Sequence, residues 1–302
     1  MARRATAVSL ACLLAAGLTP LLGADTPPAP VPAVACVPSM AQLRAPAPFA
    51  PGPRSPRPED VAKVTAELKT RLRGVAVPTQ ITVPTRVHVI TRGPRKVSDQ
   101  AVRAQIDVLN AAYAGRYGGA DTGVRFHLEG VSVQENGAWF ADPVGNEQAM
   151  KSRLHQGGPQ TLNLYIAQLS ELMLGFASYP YWYEGAPGLD GVVIDWRSLP
   201  GGAMTNYNRG FTGVHEIGHW LGLFHTFENG CEPPGDGIDD TAAEAKATEG
   251  CPETKDTCPH TGQDPMRNFM DYTHDRCMAE FTAGQAERMH EMWAAFRRSA
   301  NA

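Results

Sequence analysis

Basic charge is scarce in this 302-residue sequence, where 27 Lys and Arg face 31 Asp and Glu for a formal net charge of -4. With no basic field to hold a phosphate backbone, nucleic acid is not an expected partner. Acid is absent from residues 26 to 58, and no apolar run beyond residue 24 is long enough to span a bilayer, so stable membrane insertion is not expected. There is no internal repeat, and only six cysteines occur. What is present is 43% hydrophobic and 8% aromatic content, which supports a buried core and excludes wholesale disorder.

Arg3 and Arg4 precede an apolar run from Ala5 to Leu22 that is broken by Gly17 and Pro20 and followed by Gly23 and Ala24. Residues 1–24 read as a secretory signal peptide, which implies a secreted, extracellular protein. Residues 25–58 hold eleven of the 25 prolines, and residues 25–84 read as a Pro-rich pro-segment or linker before a main domain at 85–302. Removing the signal leaves Cys36 and a cluster of Cys231, Cys251, Cys258 and Cys277. In an oxidising exterior the cluster is expected to form two disulfides, with three pairings open and Cys36 left over.

The periodicity is that of an α/β protein. Val61, Val64, Leu68 and Leu72 suit a short helix over 59–73, and Ser98 N-caps a predicted helix through Tyr113. Val87, Val89 and Ile90 open a first strand. Further strands are predicted at 124–133, 162–166, 175–179 and 192–195, with a helix around 146–155. After residue 209 come one strong helix, a long stretch rich in Gly, Pro, Asp and Cys, and a final helix over 282–298. Residues 228 to 275 carry twelve acidic residues against Lys246, Lys255 and Arg267, a net charge of -9.

The run Gly213-Val214-His215-Glu216-Ile217-Gly218-His219-Trp220-Leu221-Gly222-Leu223-Phe224-His225 matches H-E-x-x-H-x-x-G-x-x-H at every fixed position. Four helical residues advance about 400 degrees, so His215 and His219 share a face and can address one ion. On a continued helix His225 would face away. Gly222 can take the left-handed conformation that ends the helix and swings His225 back as a third ligand. Three imidazoles leave a fourth position for water, the arrangement of a catalytic zinc rather than a closed structural site. Glu216, beside the first ligand, stays free to take that water's proton.

This motif resembles the metzincin zinc endopeptidases, and Asn268-Phe269-Met270-Asp271-Tyr272 looks like their Met-turn. The pattern of Cys231, Asp239-Asp240-Thr241, Gly250-Cys251-Pro252, Asp256-Thr257-Cys258-Pro259, Asp264-Pro265 and Cys277-Met278 is similar to the pappalysin branch, peptidase family M43. The resemblance covers roughly residues 85–298. It implies a twisted mixed five-stranded sheet, an active-site helix, and a mostly irregular, disulfide-stapled C-terminal subdomain ending in a helix. It further implies that His215, His219 and His225 hold one Zn2+, that Glu216 is the general base, and that Met270 floors the metal site. Tyr272 resembles the tyrosine that hydrogen-bonds the oxyanion in some metzincins. The family's cysteine order implies Cys231 with Cys258 and Cys251 with Cys277.

The activity implied is that of a secreted zinc-dependent endopeptidase hydrolysing internal bonds of protein or peptide substrates. A substrate would lie extended along the edge strand near Phe176 to Tyr179. Asp275 could pair with an Arg or Lys after the cleaved bond, a preference of the resembled family, unless Arg276 neutralises it. Asp236, Asp239, Asp240 and Thr241 supply hard oxygen ligands in a Gly-rich loop, the type calcium prefers, and members of the family can bind structural calcium. Cys36 is a candidate thiolate ligand that keeps a zymogen latent. Two other classes compete: a catalytically silent zinc-binding or adhesion module on the same scaffold, and a zinc aminopeptidase or deacetylase of small substrates. A monomer is expected.

Overall fold

The computed structural model describes residues 56–170, 172–259 and 262–298. The expected signal peptide, most of the Pro-rich segment and Cys36 lie outside them. In chain order the elements are helix α1 (Pro58–Arg71), strand β1 (Ile81–Thr91), α2 (Asp99–Tyr113), β2 (Val124–Glu135), α3 (Gly137–Ala141), α4 (Glu147–Leu154), β3 (Leu162–Ala167), β4 (Gly175–Ala177), β5 (Val192–Asp195), α5 (Phe211–Trp220) and α6 (Ala283–Met292). The strands form one sheet in the order β2-β1-β3-β5-β4, parallel except for β4, which runs antiparallel along β5 at one edge.

Side-chain alternation makes this sheet the middle of three layers. In β3, Leu162, Leu164 and Ile166 join Val102, Ile106 and Leu109 of α2 and Val214 and Ile217 of α5 in one apolar cluster. Tyr165 and Ala167 point the other way, to Phe140 of α3 and Met150 of α4. All six β3 residues are therefore buried, as expected of a central parallel strand covered by helices on both faces. A third cluster brings Val61, Val64 and Leu68 of α1 against Tyr179, Phe224, Met292 and Phe296.

Several elements differ from the sequence expectation. β1 begins at Ile81, so the boundary drawn between residues 84 and 85 falls inside a strand. Pro84 lies within β1, but pairing of β1 with β3 starts only at Thr85. At residues 81–84 the strand has β2 alone as partner, and a residue without an N–H is accommodated there. Five-residue α3, started by the Asn136 side chain accepting from the N–H groups of Ala138 and Trp139, is too short to show a period. The last helix ends at Met292 and widens into a π turn over Trp293–Arg297.

Among the described residues after His225 no helix forms until α6. This irregular stretch is stapled by disulfides Cys231–Cys258 and Cys251–Cys277, the pairing the family resemblance implies. Among the described residues no helix is long and apolar enough to cross a membrane.

Beneath α5, Arg297 and Asp190 form an ion pair with both side chains fully buried and Nη1 3.0 Å from Oδ2. Asp190 also accepts from Ser178 Oγ and Trp220 Nε1, and Arg297 donates to the carbonyls of Trp220 and Pro159. Burial alone would raise the Asp190 carboxyl, but the guanidinium and these donors hold it below the usual carboxylate range.

Candidate active site

Every residue of α5 is buried, and its glycines mark the places where other groups approach. A Cβ at Gly213 would collide with the Gln105 amide, and one at Gly218 with Met270 Sδ. The helix stops in a Schellman arrangement. Gly222 sits at φ +100°, its N–H donating to His219 O, while Leu223 N–H reaches back to Gly218 O. The chain reverses there, as the motif predicts, and returns His225 to the face that carries His215 and His219.

The three rings converge. His219 Nε2 lies 3.1 Å from His215 Nε2 and 3.0 Å from His225 Nε2. Behind them, His215 Nδ1 is 2.7 Å from Phe269 O and His219 Nδ1 is 2.8 Å from Leu223 O. A carbonyl can only accept, so both Nδ1 atoms carry the proton and both Nε2 atoms present lone pairs. Burial, followed by the neighbouring imidazole, pushes His215 down to about 3, and the same causes hold His219 well below the usual range. Facing lone pairs on neutral, carbonyl-anchored imidazoles suit a soft-to-borderline cation and are unfavourable without one. Among the described residues this is the one group of three or more His, Cys, Asp or Glu close enough to share a metal ion.

Glu216 is the next residue round the helix, 7% exposed, with its carboxyl pushed up to about 8 by burial. It lies against the backbone of β4, where a Cβ at Gly175 would strike the Glu216 carboxylate. Gly175 opens β4, and a strand glycine is a common sign of such a close approach. Met270 is fully buried beneath the helix at Gly218. Tyr272 brings its hydroxyl to 3.0 Å from His225 Nε2, and the His225 ring stacks on Phe227 at 4.7 Å.

A narrow pocket of about 10 Å³ opens beside His215 and Glu216, lined by Tyr207, Phe211, Thr212, Asp271, Tyr272, Asp275 and Met278. Asp275 is buried, and its Oδ2 accepts from Arg209 N–H at 2.7 Å. Burial pushes this carboxyl up to about 6. Arg276 does not neutralise it; its Nη1 lies 3.4 Å from Asn206 Oδ1 instead. The edge strand expected to reach Tyr179 ends at Ala177, and Tyr179 turns inward against His219.

The acidic loop is used differently from residue to residue. Asp236 accepts from Thr241 Oγ1 and Ile238 N–H, while Asp240 accepts from Thr282 Oγ1 and Gly284 N–H at the start of α6. Burial pushes Asp236 up to about 7.

Residues 158–294 match the family model Peptidase M43, described as pregnancy-associated plasma protein-A. An extracellular metalloprotease of Arthroderma benhamiae is 40% identical over 225 residues, covering 72% of this chain and 74% of the relative. Among solved structures, a mutant of Tannerella forsythia promirolysin superposes with a TM-score of 0.69 at 26% identity, covering 80% of this chain and 90% of that one. Mature mirolysin of the same organism, in complex with a cleaved peptide, gives 0.61 at 28% identity, covering 74% and 100%.

Proposed function

As the chain belongs to the peptidase M43 family and is an extracellular zinc metalloprotease, we propose that it cuts internal peptide bonds of proteins at the cleft beside α5. The observation that carries this reading is the meeting of three imidazoles, two of them anchored by carbonyls, with a free carboxyl, Glu216, next to the first of them. His215, His219 and His225 would hold the zinc ion. Bound there, zinc supplies Lewis acidity, polarising the scissile carbonyl and acidifying water. Glu216 takes a proton from the attacking water and passes it to the departing amine. The Tyr272 hydroxyl, beside His225, donates a hydrogen bond to the carbonyl oxygen as charge develops on it. The free edge of β4 pairs with an extended substrate, main chain to main chain.

Asp275 would set the preference for a basic side chain just after the cleaved bond. Asp275→Asn is expected to lower the Arg-over-Leu ratio of kcat/KM at that position by roughly 10- to 100-fold, the worth of a charge-assisted hydrogen bond. In the unsubstituted enzyme the same ratio should fall as pH drops below about 6, where the carboxyl becomes neutral. Equal cleavage of Arg and Leu peptides by the unsubstituted enzyme at neutral pH would remove Asp275 from the specificity pocket.

Residues 25–84 would act as a pro-segment or linker, with Cys36 as the latency ligand, and the loop of Asp236, Asp239, Asp240 and Thr241 would bind calcium. A casein assay paired with thermal melts and zinc analysis tests these readings together. A zinc chelator should abolish cleavage and added zinc restore it, and a calcium-selective chelator should lower Tm without removing zinc. The full-length Cys36→Ala chain should be active where the unsubstituted precursor is not. Cleavage that survives zinc removal would overturn the mechanism; an unchanged Tm or an inactive Cys36→Ala precursor would overturn the calcium or latency reading alone.

A further inference from the structure

The sequence puts Tyr179 on the substrate edge, but its side chain is 3% exposed and its hydroxyl lies 2.8 Å from His219 Nδ1. Leu223 O lies at the same distance from that nitrogen. We infer that Tyr179 is a positioning residue for the metal site, its hydroxyl oxygen sharing the His219 Nδ1 proton with Leu223 O and thereby fixing the ring that points Nε2 at the ion.

Two features support the assignment. First, the two acceptors come from different parts of the chain, the turn after α5 and the segment after β4. One acceptor on Nδ1 already restrains rotation about the Cβ–Cγ bond, and a second on a separate segment narrows the range that remains. Second, the Tyr179 ring cannot yield. It stacks on Phe224 at 5.5 Å and meets Trp182 edge-on at 5.0 Å and Tyr181 at 5.5 Å. The apolar surroundings also make a second polar partner for His219 Nδ1 hard to replace by solvent.

The inference rests on His219 being a zinc ligand, and the test separates the two. Zinc release to a chromophoric chelator would be followed in the full chain carrying Glu216→Gln, so that self-digestion does not intrude. Tyr179→Phe, which keeps the ring, is expected to release zinc about tenfold faster, the lower end of the effect of losing such a partner because Leu223 O remains. The Tm of the zinc-free protein should not change. Tyr181→Phe removes a buried hydroxyl from the same cluster that has no hydrogen-bond partner among the described residues, and it should leave zinc release unaltered. Unchanged release in Tyr179→Phe, or equal acceleration in both variants, overturns the positioning role. His219→Ala, measured alongside, should lose the bound zinc; if it keeps one zinc per chain, the ligand assignment itself falls.

Discussion

Glu216→Gln is expected to lower kcat/KM on a fluorogenic peptide by about 10³-fold, within the range lost when a positioned general base is removed. Bound zinc should stay at one per chain. The substitution is isosteric, and the carboxyl it replaces is packed against the backbone at Gly175, so the amide inherits the same place but cannot accept the proton. The loss should fall on kcat, because the missing interaction exists only as the proton moves. Activity within tenfold of the unsubstituted enzyme would mean that another group is the base, and a loss of zinc would mean that Glu216 is needed for the metal rather than for the chemistry.

Arg297→Met is expected to destabilise the protein by about 3 to 5 kcal/mol, because it leaves the Asp190 carboxylate charged, buried and without its cation. In a protein of this size that is a fall in Tm on the order of 10 °C. The pair is not expected to be worth that much in itself. The double variant Asp190→Leu with Arg297→Met, which removes both charges, should recover much of the loss. If the double variant is less stable than Arg297→Met alone, the hydrogen bonds of Asp190 to Ser178 and Trp220 matter more than its charge. Trp220 follows His219 directly, so retained zinc in the single variant would show that the damage is to stability and not to the site.

The convergence of the three histidines was legible because its information is local: a helical repeat of four, a glycine that must adopt positive φ at 222, and a third histidine three residues on. The strands and the principal helices were legible for the same reason, through periods of two and 3.6. What was hidden is long-range. Nothing in the spacing of Asp190 and Arg297, 107 residues apart, announces an ion pair, and nothing about Tyr179 as a strand residue announces its turn towards His219. The start of β1 at Ile81 was hidden too, because a proline such as Pro84 is tolerated in a strand only where one side lacks a partner, and that depends on where β3 begins. Asp275 lines the cavity beside Glu216, whereas the fate of Arg276, beside Asn206, could be read only from the fold.

The two disulfides overlap, since Cys251 lies inside the span from Cys231 to Cys258 and Cys258 inside the span from Cys251 to Cys277. A peptidase released among its own kind exposes a long irregular lobe to attack. Any single cut between residues 231 and 277 leaves both halves joined through at least one bridge, so the segment bearing His225 and the segment bearing Met270 and Tyr272 stay on one covalent body. The part before Cys231 and the part after Cys277 come apart only when all three intervals between successive cysteines have been cut. The interlocked bridges thus act as a tether that keeps a nicked enzyme in one piece, separately from any stability they confer on the intact one.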